Sequence, residues 1–136
     1  MNKPYKICII DDDEIYKFTV TSTLMIKKLA REILEFSDGE EALGFMTANL
    51  SNHTQLPDVI LLDINMPIMD GFQFIEEYIK IKPSVSKKIA IYMVSSSLDP
   101  IDLDKAKTYN EISDYIVKPI KPTELFEIVN RLEMAS

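Results

Sequence analysis

Five short apolar runs rich in Ile and Val recur at residues 5–10, 32–36, 59–62, 89–94 and 115–117, and a stretch of helical period comes after each. Short runs without polar alternation suit strands buried on both faces. The intervening stretches carry apolar residues at helical spacing. Val20, Leu24, Ile26 and Leu29 mark the first, Ala42, Leu43 and Met46 the second, and Phe72, Phe74, Ile75, Tyr78 and Ile79 the third. Leu103 and Ala106 mark the fourth, and Leu125, Ile128, Val129 and Leu132 the fifth. Asp99-Pro100 and Lys121-Pro122 read as helix starts, because proline fits the first helical position. Parallel neighbours need a crossover, so this alternation predicts an α/β fold: a five-stranded parallel sheet with five helices on its two faces. Right-handed crossovers and short connections favour the strand order 2-1-3-4-5. The run at 32–36 is half charged and is expected at a sheet edge. Only three glycines occur, and each is expected at a turn or a cap.

Composition narrows the class. A chain of 136 residues fits a single domain spanning 1–136, too short for a catalytic domain with a separate cap. The longest purely apolar stretch, 89–94, cannot span a membrane, and Met1-Asn2-Lys3-Pro4 begins no signal-peptide core. Cys8 is the single cysteine and no Cys/His cluster suits zinc, so a cytoplasmic location is expected. A net charge of −7 argues against direct nucleic-acid binding, which needs a basic face to displace counterions. No lysine or arginine lies between Arg31 and Lys80, a span that holds ten acids. Most of these suit solvated helix faces.

Asp63 is the exception, because polar residues also stand directly after three other strands. Asp11, Asp12, Asp13 and Glu14 come after the first strand, Ser95, Ser96 and Ser97 after the fourth, and Lys118-Pro119 after the fifth. Open parallel sheets bind ligands at the carboxyl ends of the strands, beside the point where strand order reverses. Each group has a plainer reading alone: the acids could cap a helix, the serines could form a loop, and Lys118 could be solvated. Those readings leave unexplained why all fall at one edge of one sheet. Crowded carboxylates need a cation, and hard oxygen donors at a partly hydrated site suit Mg²⁺. A hydroxyl and an ammonium opposite would cradle a phosphoryl group, with a carboxylate between them as nucleophile. His53, the only histidine, lies in a polar loop and is expected to be exposed.

The segments Ile9-Ile10-Asp11-Asp12-Asp13, Asp58 through Gly71, Met93-Val94-Ser95 and Asp114-Tyr115-Ile116-Val117-Lys118-Pro119 together resemble a response-regulator receiver domain of two-component signalling. The resemblance covers nearly the whole chain and implies a flavodoxin-like, three-layer α/β/α fold. It implies that Asp63 accepts a phosphoryl group from a histidine kinase or histidine phosphotransfer protein. It also implies that Asp11, Asp12, Asp63 and the Asn65 carbonyl hold Mg²⁺, and that Ser95 and Tyr115 form a switch. Lys118 matches the family's invariant lysine, whose bond to Pro119 is usually cis, and Asn65 and Ser97 match positions that tune dephosphorylation. The chain departs from the family in having Glu111-Ile112 where many members have Gly-Ala, and in a long segment at 49–57.

The resemblance implies a phosphoacceptor switch, not an enzyme beyond self-phosphorylation and self-dephosphorylation. Its rival is a Mg²⁺-dependent phosphohydrolase of the haloacid-dehalogenase type, which typically needs a second Asp where this chain has Asn65. A flavodoxin would want a Ser/Thr/Gly-rich phosphate loop where this chain has Asp11-Asp12-Asp13. With no DNA-binding module in these residues, output is expected through protein contacts, with a downstream target, a phosphorelay partner or a second copy. The expected surface is the fourth helix, fifth strand and fifth helix. Cys8, Met46, Met66, Met69 and Met93 are expected to pack in the interior.

Overall fold

The computed structural model describes residues 3–135; Met1 and Asn2, the first half of the stretch that begins no signal-peptide core, lie outside them, as does Ser136. The elements run β1 (Lys6–Ile10), α1 (Glu14–Ile26), β2 (Glu32–Phe36), α2 (Gly39–Ala48), β3 (Val59–Asp63), α3 (Gly71–Ile81), β4 (Ala90–Ser95), α4 (Pro100–Lys107), β5 (Ile112–Val117) and α5 (Pro122–Ala135). A single 3-10 turn, Lys82–Ser84, continues α3. All neighbouring strands are parallel, in the order β2-β1-β3-β4-β5. This is the α/β/α order expected from the alternation, with the half-charged β2 at an edge.

Alternate strand residues enter two cores. Ile7 and Ile9 face a layer formed by α1 and α5, with Val20, Leu24, Leu125 and Ile128. Cys8 and Ile10 face the other layer, formed by α2, α3 and α4, with Met46, Phe74, Tyr78 and Ala106. Cys8, Met46, Met66 and Met93 are buried, Met69 packs against the second core, and His53 is exposed. Val59–Asp63 is buried throughout, as a central parallel strand must be.

The structure differs from the sequence pattern at Leu29, at Ile26 and at the start of β5. Leu29 is buried, but not as a residue of α1. The Leu29 N–H donates to Leu24 O at 2.8 Å, the Lys28 N–H donates to Met25 O at 3.1 Å, and Lys28 takes a positive φ of 56°. This is a Schellman closure, which brings Leu29 back onto the core beside Leu24. Ile26 is exposed, because two residues beyond Leu24 the helix has turned away from the core. β5 starts at Ile112, three residues before the apolar run. Ile91 pairs with Ile112 and Tyr92 with Asp114, so Ser113 is an extra residue at the strand's irregular start.

The glycines divide. Gly39 and Gly71 begin α2 and α3 directly after the capping residues Asp38 and Asp70. Gly44 sits inside α2 with open space around it, contrary to the expectation that each glycine marks a turn or cap.

Candidate functional site

At the carboxyl ends of β1, β3, β4 and β5 the chain turns outward and leaves polar side chains around one shallow mouth. β1 and β3 are neighbours, so Asp11, one residue past Ile10, stands beside Asp63, the last residue of β3. Asp11 is 1 % exposed and Asp63 is 5 % exposed, whereas Asp12 faces solvent. Oxygens of all three carboxylates lie within 4.8 Å of one another. Lys118, at the end of β5, sends its Nζ to 2.7 Å from Asp11 Oδ2 and 3.8 Å from Asp63 Oδ1. The Lys118–Pro119 peptide is cis. The Lys118 N–H donates to Ser95 O at 2.9 Å, which carries the β4–β5 pairing into the site.

The electrostatics arise from burial. Asp63 is pushed up to about 6, first by burial and then by the Asp11 charge; Lys118 and the Asn65 N–H oppose this. Asp11 is also raised, first by burial, against the pull of Lys118 and the Asp13 N–H. One ammonium therefore does not compensate the carboxylates around it. The set of buried and exposed carboxylate oxygens, open on one side, suits a hard divalent cation such as Mg²⁺.

The four-residue acidic run Asp11–Glu14 splits by residue. Asp11 and Asp12 belong to the carboxylate cluster. Asp13 caps α1, its Oδ1 accepting the Ile15 and Tyr16 N–H groups at 3.0 and 3.1 Å. The helix-cap reading thus holds for Asp13, while Asp11 and Asp12 stand apart from the cap, in the carboxylate cluster.

Asn65 is exposed in the turn after β3. That turn is pulled tight by the Gly71 N–H, which donates to Ile64 O at 2.8 Å. A Cβ on Gly71 would overlap the Asp63 carbonyl oxygen, so the start of α3 can approach the end of β3 only with glycine there.

Ser95 is fully buried at the end of β4. Its Oγ accepts the Ser97 N–H at 3.1 Å, and Ser97 Oγ accepts the Asp99 N–H at 3.0 Å. Asp99 Oδ1 in turn accepts the Ile101 N–H at 2.9 Å and caps α4. Tyr115 is half-buried on β5 and donates its hydroxyl to Ser97 O at 2.9 Å. An unbroken set of hydrogen bonds therefore links Ser95 to the start of α4 and to Tyr115.

Two residues escape a reading of the sequence. Gly71 is visible there only as a helix start, and its close approach to Asp63 is a tertiary fact. Tyr16 looks like an ordinary helix residue, yet the Lys118 ammonium lies 4.4 Å from its ring centroid. Its position three residues after the capping Asp13 is the one signal that could place it at this edge.

The family model for the response regulator receiver domain matches residues 7–130. The chain is 34% identical over 121 residues to a probable transcriptional regulator, ycf27, of Guillardia theta, covering 88% of this chain and 42% of that protein. It is 29% identical to the chemotaxis protein CheY of Thermotoga maritima, covering 93% of this chain and 96% of that one. A crystal structure of a two-component response regulator from Cytophaga hutchinsonii superposes with a TM-score of 0.86 at 27% identity, covering 97% of this chain and 99% of the other. This chain spans less than half the length of the ycf27 regulator, and 7% of a Dictyostelium discoideum hybrid signal transduction histidine kinase to which it is 30% identical. Among the described residues, no helix is long and apolar enough to cross a membrane. Strand order, the acidic edge and the match over residues 7–130 agree, and this chain belongs to the response regulator receiver family of two-component signalling.

Proposed function

We propose that residues 1–136 act as one receiver unit, with Asp63 as the phosphoacceptor of a two-component switch. The observation that carries this reading is the unequal reach of Lys118, 2.7 Å from Asp11 but 3.8 Å from Asp63. Asp63 keeps a free carboxylate face while an ammonium waits beside it. In the proposed transfer an Asp63 oxygen attacks the phosphorus of a phosphohistidine on a kinase or phosphotransfer protein. The new P–O bond forms as the P–N bond breaks, and the departing imidazole takes up a proton from solvent. Lys118 then pairs with a phosphoryl oxygen, and Ser95 can turn its hydroxyl to another. Mg²⁺, held by the Asp11, Asp12 and Asp63 carboxylates and the Asn65 carbonyl, would neutralise charge on the phosphoryl oxygens.

Apolar side chains around the mouth favour a protein donor. Ile15 and Phe18 on α1, Ile68 between β3 and α3, and Leu98 before α4 are all exposed. A docking protein would cover them, whereas the net charge of −7 disfavours nucleic acid. The hydrolase reading would need a proton-transferring side chain two residues after Asp63, and Asn65 cannot supply one.

Output runs through the bonds around Ser97. If Ser95 Oγ turns to the phosphoryl group, it releases the Ser97 N–H. That shifts the segment that caps α4 and receives the Tyr115 hydroxyl. The remodelled surface is then α4, β5 and α5, where a downstream target or a second copy docks.

Intact-mass measurement after incubation with acetyl phosphate and Mg²⁺ tests the central assignment. The protein should gain one phosphoryl group, and Asp63→Asn should gain none while remaining folded. Undiminished labelling of Asp63→Asn would overturn the assignment. Chemical-shift mapping with beryllofluoride tests the output surface, which requires Tyr115, α4 and α5 to respond and not the metal cluster alone.

A further inference from the structure

Tyr16 is an unusual residue to bury at an acidic edge. It is 9 % exposed, packs in the α1–α5 core, and its hydroxyl has no hydrogen-bond partner among the described residues. An apolar residue would satisfy the same core without stranding a hydroxyl. What an aliphatic side chain could not offer is the ring face, and the Lys118 ammonium lies 4.4 Å from its centroid.

Resting on the phosphoacceptor reading of Asp63, we propose that Tyr16 is the positioning residue for Lys118. The ammonium is held between Asp11 and the aromatic face, where its remaining N–H group can meet a phosphoryl group on Asp63. An ammonium has three N–H donors and needs partners on every side. Asp11 Oδ2 takes one side at 2.7 Å, and the ring takes the side turned to the core. A π face attracts the cation but accepts no proton and competes weakly for it. The ammonium is thus not drawn fully onto Asp63, from which it stands 3.8 Å away. Without the ring, that flank becomes either a void or a water, and Lys118 can collapse onto the carboxylates.

Asp13 belongs to the same device. Its Oδ1 accepts the Ile15 and Tyr16 N–H groups, which fixes where α1 begins and so where the Tyr16 ring lies. The third aspartate of the acidic run acts on the site through the helix it caps. Asp13, Tyr16 and Lys118 also share the wall of a groove of about 360 Å³ between α1 and the segment after β5.

The test compares Tyr16→Phe, which keeps the ring, with Tyr16→Leu, which keeps only bulk; Tyr16→Met replaces Leu if circular dichroism shows that the fold is lost. Each is made alone and with Lys118→Ala. Phosphorylation by acetyl phosphate in Mg²⁺ is followed by intact mass. Losing the ring should slow labelling about threefold to tenfold, and Tyr16→Phe should stay within about twofold of the parent protein. In the Lys118→Ala background the same change should have no further effect, because Tyr16 acts through that ammonium. A Phe variant as slow as the Leu variant overturns the proposal, as does full slowing without Lys118. An independent readout is the ring-current shift of the Lys118 ε-protons, expected with Tyr or Phe and absent with Leu. If the parent protein takes no phosphate, the phosphoacceptor reading fails, while that shift still decides whether Tyr16 positions Lys118.

Discussion

At the amino ends of the strands, Lys6 turns its ammonium into the protein and finds Thr54 O at 2.9 Å, Gln55 O at 3.3 Å and Glu32 Oε2 at 3.3 Å. Lys87 reaches Leu56 O and Asp58 Oδ1, both at 3.0 Å, and Asp58 Oδ2 accepts the Lys6 N–H at 2.8 Å. The long segment at 49–57 is therefore stapled by Lys6 of β1 and by Lys87, which precedes β4, and the buried Lys6 ammonium is paired. At the carboxyl ends, Asp11 and Asp63 are buried about as deeply as Lys6, but one ammonium serves both. Both edges bury charge. The first satisfies it with its own chain, and the second leaves a deficit of positive charge that a divalent cation would fill. Burial alone does not distinguish a staple from a site; the completeness of the pairing does.

The contrast breaks most severely at the stapled edge. Lys6→Met removes the ammonium from a position 2 % exposed and strands the Thr54 and Gln55 carbonyls. Breaking such a buried arrangement should cost about 3–5 kcal/mol, read as a lower urea midpoint at unchanged slope. A loss below about 0.5 kcal/mol, the level of an ordinary surface change, would show that the clamp is decorative.

The carboxylate edge should respond with the opposite sign. Asp63 in the folded protein titrates at about 6, above its ordinary value of 3.8, so the native state holds this proton more tightly than the unfolded chain. The associated stability is fully present below about pH 4 and is lost as pH rises through about 6. In the presence of EDTA, Asp63→Asn should therefore be more stable than the parent by about 2–3 kcal/mol at pH 8, with the gain shrinking toward pH 4. Millimolar Mg²⁺ should stabilise the parent more than this variant, because the variant lacks one carboxylate of the Asp11, Asp12 and Asp63 cluster. Equal stability at pH 8 and an equal response to Mg²⁺ would remove the distinction between the two edges.

Much of this contrast is legible in the sequence. The apolar runs and their helical partners point to the strand order, and polar residues directly after four strands mark one edge. That works because strand ends in a parallel sheet are fixed by the pattern itself. The stapled edge is invisible there: Lys6, Asp58 and Lys87 are far apart in sequence and carry no motif. Their pairing depends on the path of the 49–57 segment, which no periodicity encodes. Tyr16 is hidden for a related reason, since a tyrosine on a helix face gives no sign of what lies over its ring. The start of β5 is hidden because Ser113 and Asp114 are exposed, so no apolar run announces the strand.

The smallest expected effect concerns backbone strain, which also differs between the edges. Among the described residues, Lys28 and Ile68 are the non-glycine residues with positive φ, at 56° and 69°. Lys28 closes α1 at the stapled edge in a Schellman motif, a position that an unbranched residue occupies at modest cost. Ile68 lies between Pro67 and Met69 in the segment that leads from Asp63 to α3. It is β-branched and 72 % exposed, so it gains little packing in return for its strain. The left-handed conformation costs an L-residue about 1–2 kcal/mol, while glycine adds about 0.5–1 kcal/mol of unfolded-state entropy. Ile68→Gly should thus stabilise the fold by roughly 0.5–1 kcal/mol, a rise of about 2–4 °C in Tm. Lys28→Gly should gain less, because lysine carries no branch at Cβ to clash with the backbone. If Ile68→Gly is stabilised yet takes phosphate more slowly from a protein donor than from acetyl phosphate, relative to the parent, the strain holds an apolar side chain out for that partner. If both donors are unaffected, the strain serves only the geometry of the turn.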